Sequence, residues 1–155
     1  MIRLGPLALL LIASACGFQP AYSPATAARA ASINVPEIEG RAGHELRKAL
    51  LTELSTGLPG IENATLTVTL RDSLARLPIR PDEAAARTDV NAVGRYVLDT
   101  GEDAITGQVR TQTSFNVPTS AFGDIAAQTA ASERAMQQLA RRIVEDLRLQ
   151  LEATE

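Results

Sequence analysis

The chain offers one thiol, one imidazole and a thin scatter of paired carboxylates, so the reactions open to it are few. Cys16 and His44 are its only cysteine and histidine. A zinc site needs three or four His, Cys or carboxylate ligands, and a Cys–His nucleophile needs a free thiol beside an imidazole. A Ser-His-acid triad would have to use His44, and no Gly-x-Ser-x-Gly elbow is present to expose a serine. The carboxylate pairs Asp82/Glu83, Glu102/Asp103 and Glu145/Asp146 are sequence neighbours, and such pairs read as solvated charge rather than as a general acid with its base. No Gly-rich phosphate loop follows a strand pattern. Phe18, Tyr22, Tyr96, Phe115 and Phe122 are too few and too scattered for a base-stacking or sugar-binding shelf. These residues point to no enzyme, no metal and no cofactor.

The one reactive group with a persuasive setting is Cys16. Arg3 supplies a short positive start, Leu4 to Ile12 an apolar run, and Ala13, Ser14 and Ala15 a small-residue cleavage segment. An ordinary secretory signal needs no cysteine at its cut site. A bacterial lipoprotein signal does, because the thiol of the first mature residue is acylated and becomes the anchor. The alternative is a plain secretory signal that leaves a free thiol. Leucine is usual three residues before such a cysteine, where this chain has Ala13. The reading divides the chain into a signal peptide, 1–15, a lipidated tether, 16–31, and a domain, 32–155.

Cutting before Cys16 leaves 140 residues (155 minus 15), which suits one domain with a modest core. With Cys16 acylated, no disulfide within the chain is available and packing alone must hold the fold. The formal charge of −3 becomes −4 once Arg3 is removed, which argues against a nucleic-acid partner. Every basic residue except Lys48 is arginine. A GC-rich genome explains that bias, and so does recognition of phosphate or carboxylate by a planar fork.

The elements that would position these groups follow from periodicity. Gly17 to Ser32 is rich in Pro, Ala, Ser and Thr and reads as tether. Ile33-Asn34-Val35 predicts a short edge strand closed by Pro36. Arg41 to Thr56 predicts an amphipathic helix with Leu46, Leu50 and Leu54 on one face, ended by Gly57. Residues 64–70 alternate Leu66, Val68 and Leu70 against Thr65, Thr67 and Thr69, the pattern of a strand with one covered face. Residues 71–86 read as a long excursion around Pro78 and Pro81.

Thr88 to Thr100 and Ile105 to Val117 alternate in the same way across Gly101-Glu102-Asp103, which predicts a hairpin. Ser120 is the expected N-cap of a final helix, 121–151. Met136, Leu139, Ile143, Leu147 and Leu151 line its apolar face, with Phe122 and Ile125 at its front. Arg141–Glu145 and Arg142–Asp146 are four apart on its exposed side. The order β-α-β-β-β-α predicts an α+β two-layer sandwich, with two helices on one face of a four-stranded, mostly antiparallel sheet.

The start Cys16-Gly17-Phe18-Gln19-Pro20-Ala21-Tyr22 resembles the Cys-Gly-Phe-x-Pro-x-Tyr opening of the lipopolysaccharide-assembly lipoprotein family LptE, in its alphaproteobacterial form. The element order, the leucine helix opened by Arg41, and the stretches Tyr96-Val97-Leu98-Asp99 and Thr113-Ser114-Phe115-Asn116 are similar too. So is the closing Glu133-Arg134-Ala135 followed by Ala140-Arg141-Arg142-Ile143. The resemblance implies an outer-membrane lipoprotein that plugs and helps assemble the LptD β-barrel during lipopolysaccharide insertion. Gly17 fits, because aspartate at that place is the usual inner-membrane retention signal. The family's contact with lipopolysaccharide through basic residues near the second-to-third strand connection maps onto Arg87, with Arg80 and Arg76 close by. The family's late lysine has no counterpart here. A second expectation, of another class, is a periplasmic ligand-binding lipoprotein serving an ABC-type lipid transporter, which would carry a hydrophobic pocket between sheet and helices.

Overall fold

Strand β1 (Ser32–Asn34) runs parallel to β2 (Asn63–Arg76), so the chain between them must cross over the sheet, and helix α1 (Gly40–Glu53) makes that crossing. The computed structural model describes residues 32–76, 87–118 and 120–153. After β2 come β3 (Arg87–Asp99) and β4 (Ala104–Asn116), each antiparallel to its predecessor, and the last element is helix α2 (Ala121–Glu152). The sheet order is β1-β2-β3-β4, a mixed sheet in an α+β fold, as the periodicity predicts. Cys16, the tether and Arg80 lie outside the described residues.

Helix α1 forms as the leucine spacing demands. Leu46 and Leu50 are fully buried, Leu54 follows in a 3-10 turn (Leu54–Thr56), and Leu51 lies outside the apolar stripe and is 41% exposed. Gly57, at φ 76°, then reverses the chain in the left-handed region that side chains disfavour. Arg47 ties the helix to the chain after β1, its Nε donating to the Val35 carbonyl at 2.9 Å.

The inner face of the sheet is laid down in rows by the strand register. Leu66, Leu98 and Ile105 form one row, Val68, Tyr96 and Gly107 the next, then Leu70, Gly94 and Val109. Helix α2 packs on these rows with Ala131, Ala135, Met136, Leu139, Ala140, Ile143, Val144 and Leu147, all buried. At Gly94 a Cβ would stand 3.1 Å from Ile143 Cδ1 and 3.4 Å from Leu139 Cδ2, so the helix sits almost on the backbone. The alanines of α2 fall in two groups. Ala131, Ala135 and Ala140 are fully buried among the packed elements, whereas exposed Ala126 and Ala130 contribute helix propensity alone.

Four expectations are corrected. Strand β2 continues to Arg76, so the first six residues of the expected excursion are strand, and residues 71–75 are exposed on both faces of it. Phe122 and Ile125 are 85% and 66% exposed, because the first ten residues of α2 run ahead of the buried part of the helix. The Arg142–Asp146 pair does not form. Arg142 instead donates to the Arg110 carbonyl at 2.7 Å, and Asp146 accepts from the Tyr96 hydroxyl. Finally, α1 ends at Glu53, and the 3-10 turn takes the last residues of the expected helix. Ser120 caps α2 as expected, its Oγ accepting from the Gly123 N–H at 3.1 Å.

Candidate functional site

With α1 and α2 on one face, the other face of the sheet is left open among the described residues, and its side chains are set by alternation along three long strands. On this face Val93 of β3 lies between Arg71 of β2 and Arg110 of β4, and the next row is Thr69, Arg95 and Gln108. Arg71, Arg95 and Arg110 are all exposed and lie in adjoining rows, so their Cα atoms are within about 7–8 Å along each diagonal. Arg95 Nε donates to Gln108 Oε1 at 2.8 Å. Around them stand the neutral polar side chains Thr67, Thr69, Thr106, Asn91 and Gln112, with the apolar Val93 and the exposed Val97 among them. An acidic protein thus presents a triangle of guanidinium groups on its uncovered face, a geometry suited to carboxylates or phosphates.

Farther along the same face Asp89 is buried, one carboxylate oxygen accepting from Gln112 Nε2 at 2.6 Å and the other from Ser114 Oγ at 2.7 Å. Arg87 lies at the strand end beyond it, exposed, opposite Asn116. It is three rows from Val93, about 20 Å, and so does not join the triangle. Arg76 closes β2 one strand away, paired in register with Thr88. The structure therefore brings Arg76 and Arg87 to the same end of the sheet, and Arg80 lies outside the described residues. Sequence reasoning missed Arg71, Arg95 and Arg110. Alternation places each on a face, but only the register across three strands shows that they meet.

Inside the sandwich one polar constellation is satisfied rather than poised. Tyr96 is 1% exposed, and its hydroxyl donates to Asp146 Oδ2 while accepting from Gln150 Nε2 at 2.7 Å. Burial first, then the hydrogen bond to and charge of Asp146, push this phenol well above the ordinary tyrosine value, against a smaller opposite pull from Gln150. The phenol is held neutral and serves as a structural tie between β3 and α2. His44 is exposed on α1. Among the described residues no group of three or more His, Cys, Asp and Glu is arranged to hold a metal.

A cleft of about 320 Å³ lies between the start of α1, the far part of β2 and the front of α2. Arg41, Glu45, Asp72, Gln128 and Glu133 line it beside Ala42 and Ile125, so its wall is part charged and part apolar. The space between sheet and helices is filled by Leu66, Leu98, Leu139 and Ile143. Among the described residues no helix is long and apolar enough to cross a membrane.

The sequence profile of the family LptE, lipopolysaccharide-assembly, matches residues 30–147, which spans β1 through the buried part of α2. The chain belongs to the LptE family. Its fold is shared with a Caulobacter crescentus CB15 protein described as a lipoprotein, at 25% identity and a TM-score of 0.57, covering 81% of this chain and 93% of that one. It is shared with rare lipoprotein B of Shewanella oneidensis, at 15% identity and a TM-score of 0.53, covering 79% and 96%. A minor lipoprotein of Acinetobacter baumannii has the same fold at 10% identity and a TM-score of 0.55, covering 78% and 94%. No curated protein sequence matches. LptE membership carries a role in lipopolysaccharide assembly, and the family together with its lipoprotein neighbours supports a lipoprotein.

Proposed function

We propose that this chain is an outer-membrane lipoprotein, anchored through Cys16, that seats in the lumen of an LptD-like β-barrel and helps the barrel assemble and insert lipopolysaccharide. The observation that carries the reading is the LptE match over residues 30–147. The architecture supports it. A barrel lumen is polar, and the open sheet face with Thr67, Thr69, Arg71, Arg95 and Arg110 is a polar, anion-seeking surface of the kind such a lumen would meet. The role is one of assembly and positioning rather than of catalysis.

The filled interior between sheet and helices gives the alternative, a pocket-bearing auxiliary of an ABC-type lipid transporter, no support. Arg76, Arg80 and Arg87 remain the proposed contacts to phosphate or carboxylate, whether on lipopolysaccharide or on the barrel wall. The test is detergent extraction and affinity purification of the mature chain. Recovery of an equimolar large outer-membrane barrel is the expected result, and a lone monomer overturns the plug reading.

A further inference from the structure

The two edges of the sheet are guarded very differently. At one side β1 is three residues long and stops before Pro36, and the part of β2 that extends beyond it carries both Arg71 and Asp72. At the other side β4 is, among the described residues, an edge for all thirteen of its residues, Ala104–Asn116, about 44 Å of strand. It has no proline, lysine or carboxylate, and its register with β3 runs from Ala104↔Asp99 to Asn116↔Arg87 without a bulge. Short length, charge, proline and bulges are the devices that keep an edge from pairing, and β4 lacks them apart from one arginine.

The open main-chain groups of this edge can be assigned. In an antiparallel strand the N–H and C=O of one residue point to the same side, and alternate residues point to opposite sides. The Arg110 carbonyl receives the Arg142 guanidinium at 2.7 Å, so Arg110 faces away from β3. Thr106, Gln108, Gln112 and Ser114 therefore face outward as well. Arg142 stands where the N–H of a neighbouring strand would stand. It reaches there from α2 on the inner side, while Arg110 projects its own side chain on the outer face.

We infer that the free edge of β4 is a strand-docking site that takes an extended acidic segment of another protein as a fifth strand. Main-chain bonds to the outward residues supply the pairing. The choice of partner comes from charge. A guanidinium on each side of the mid-edge favours carboxylates on successive residues of the incoming strand, and it disfavours a second copy of β4, which would bring like charges together. Once a strand arrives, its N–H replaces Arg142 on the Arg110 carbonyl and Arg142 turns to a carboxylate. The inference does not depend on which protein supplies the segment.

The test places a photoreactive benzoyl-phenylalanine at Thr106 or at Gln108 of the full chain in the living bacterium. Both positions are expected to capture one stretch of one other protein, containing Asp or Glu. Gln112→Pro removes an outward N–H without touching the β3 ladder, and Arg110→Glu with Arg142→Glu reverses the charge. The charge reversal is expected to cut the adduct by roughly tenfold or more, the loss that follows removal of an ionic hydrogen bond, and the proline to cut it by a smaller but measurable factor, the loss of one main-chain bond. If the proline variant fails to fold, the charge reversal decides. Absence of adduct, an adduct with a second copy, or an adduct indifferent to the changes that fold overturns the inference. Capture of the barrel supports this inference and the plug reading together. Capture of an acidic segment of a different protein supports this inference alone, and a barrel that co-purifies while both probes stay silent leaves only the plug reading standing.

Discussion

At the scale of single residues, the tightest constraint on the fold is the meeting of Gly107 with Tyr96. A Cβ at position 107 would lie 2.2 Å from the Tyr96 hydroxyl and 2.7 Å from Cε1, and the ring is held by its bonds to Asp146 and Gln150. Gly107→Ala is expected to destabilise the protein by about 1–3 kcal/mol in urea unfolding, the range for overpacking a core. Adding Tyr96→Phe does not relieve it, because the ring carbons still obstruct; a double variant as stable as Tyr96→Phe alone would show that the ring is not the obstacle. The phenol also sets a pH response. Its folded value is raised, so its contribution is fully present below about pH 10, the ordinary tyrosine value, and is lost as the pH rises beyond it. Unfolding measured between about pH 8 and about pH 11 should therefore show a falling alkaline limb that is shallower in Tyr96→Phe. Phenolate absorbance from Tyr96 should emerge only as the protein unfolds; its early appearance in the folded protein would contradict the tie described above.

At the scale of elements, neighbours on one helix separate core from surface. Leu50→Ala is expected to cost about 2–5 kcal/mol, whereas Leu51→Ala, outside the buried stripe, should cost well under half as much. Helix α2 makes the subtler case. Its first ten residues bury little, and Phe122 and Ile125 are exposed, so Ser120 caps a segment that can fray without opening the core. Ser120→Ala should speed amide exchange across residues 121–130 while leaving the urea midpoint nearly unchanged; a global loss of about 1 kcal/mol or more would mean that the front turns are coupled to the core. These elements were legible because their signals are local. Leucines every four residues, strict alternation in β3 and a Gly-containing turn each dictate structure within a short window. Phe122 and Ile125 misled because apolar spacing reports a face without reporting whether anything lies opposite it. The same limit hid the arginine triangle. Arg71, Arg95 and Arg110 are 24 and 15 residues apart, and only strand register joins them. Arg142 had an acidic neighbour one turn away, yet the carbonyl at the sheet edge took its guanidinium, a tertiary choice that helix spacing does not encode.

At the scale of the whole molecule, folding and anchoring are expected to be separable. Among the described residues the buried core runs from Val35 to Leu147 and is closed by contacts among α1, α2 and the sheet. The proposed anchor acts through hydrocarbon instead: each buried CH₂ of an acyl chain contributes about 0.8 kcal/mol, and more than one chain is needed for stable attachment. Cys16→Ser should therefore release the chain from the membrane fraction into the periplasm, with its melting temperature unchanged. The mature wild-type protein should carry the mass of its acyl chains. If Cys16→Ser stays membrane-bound in cells lacking the barrel, attachment comes from some other surface. If it stays bound only when the barrel is present, the protein–protein contact suffices to hold it, and the acyl chains matter chiefly for delivery. Soluble yet unfolded protein would instead show that the tether contributes to the core. The expected pattern, folded and released, follows from an interior in which the leucine stripe of α1, the apolar face of α2 and the inner rows of the sheet already satisfy one another.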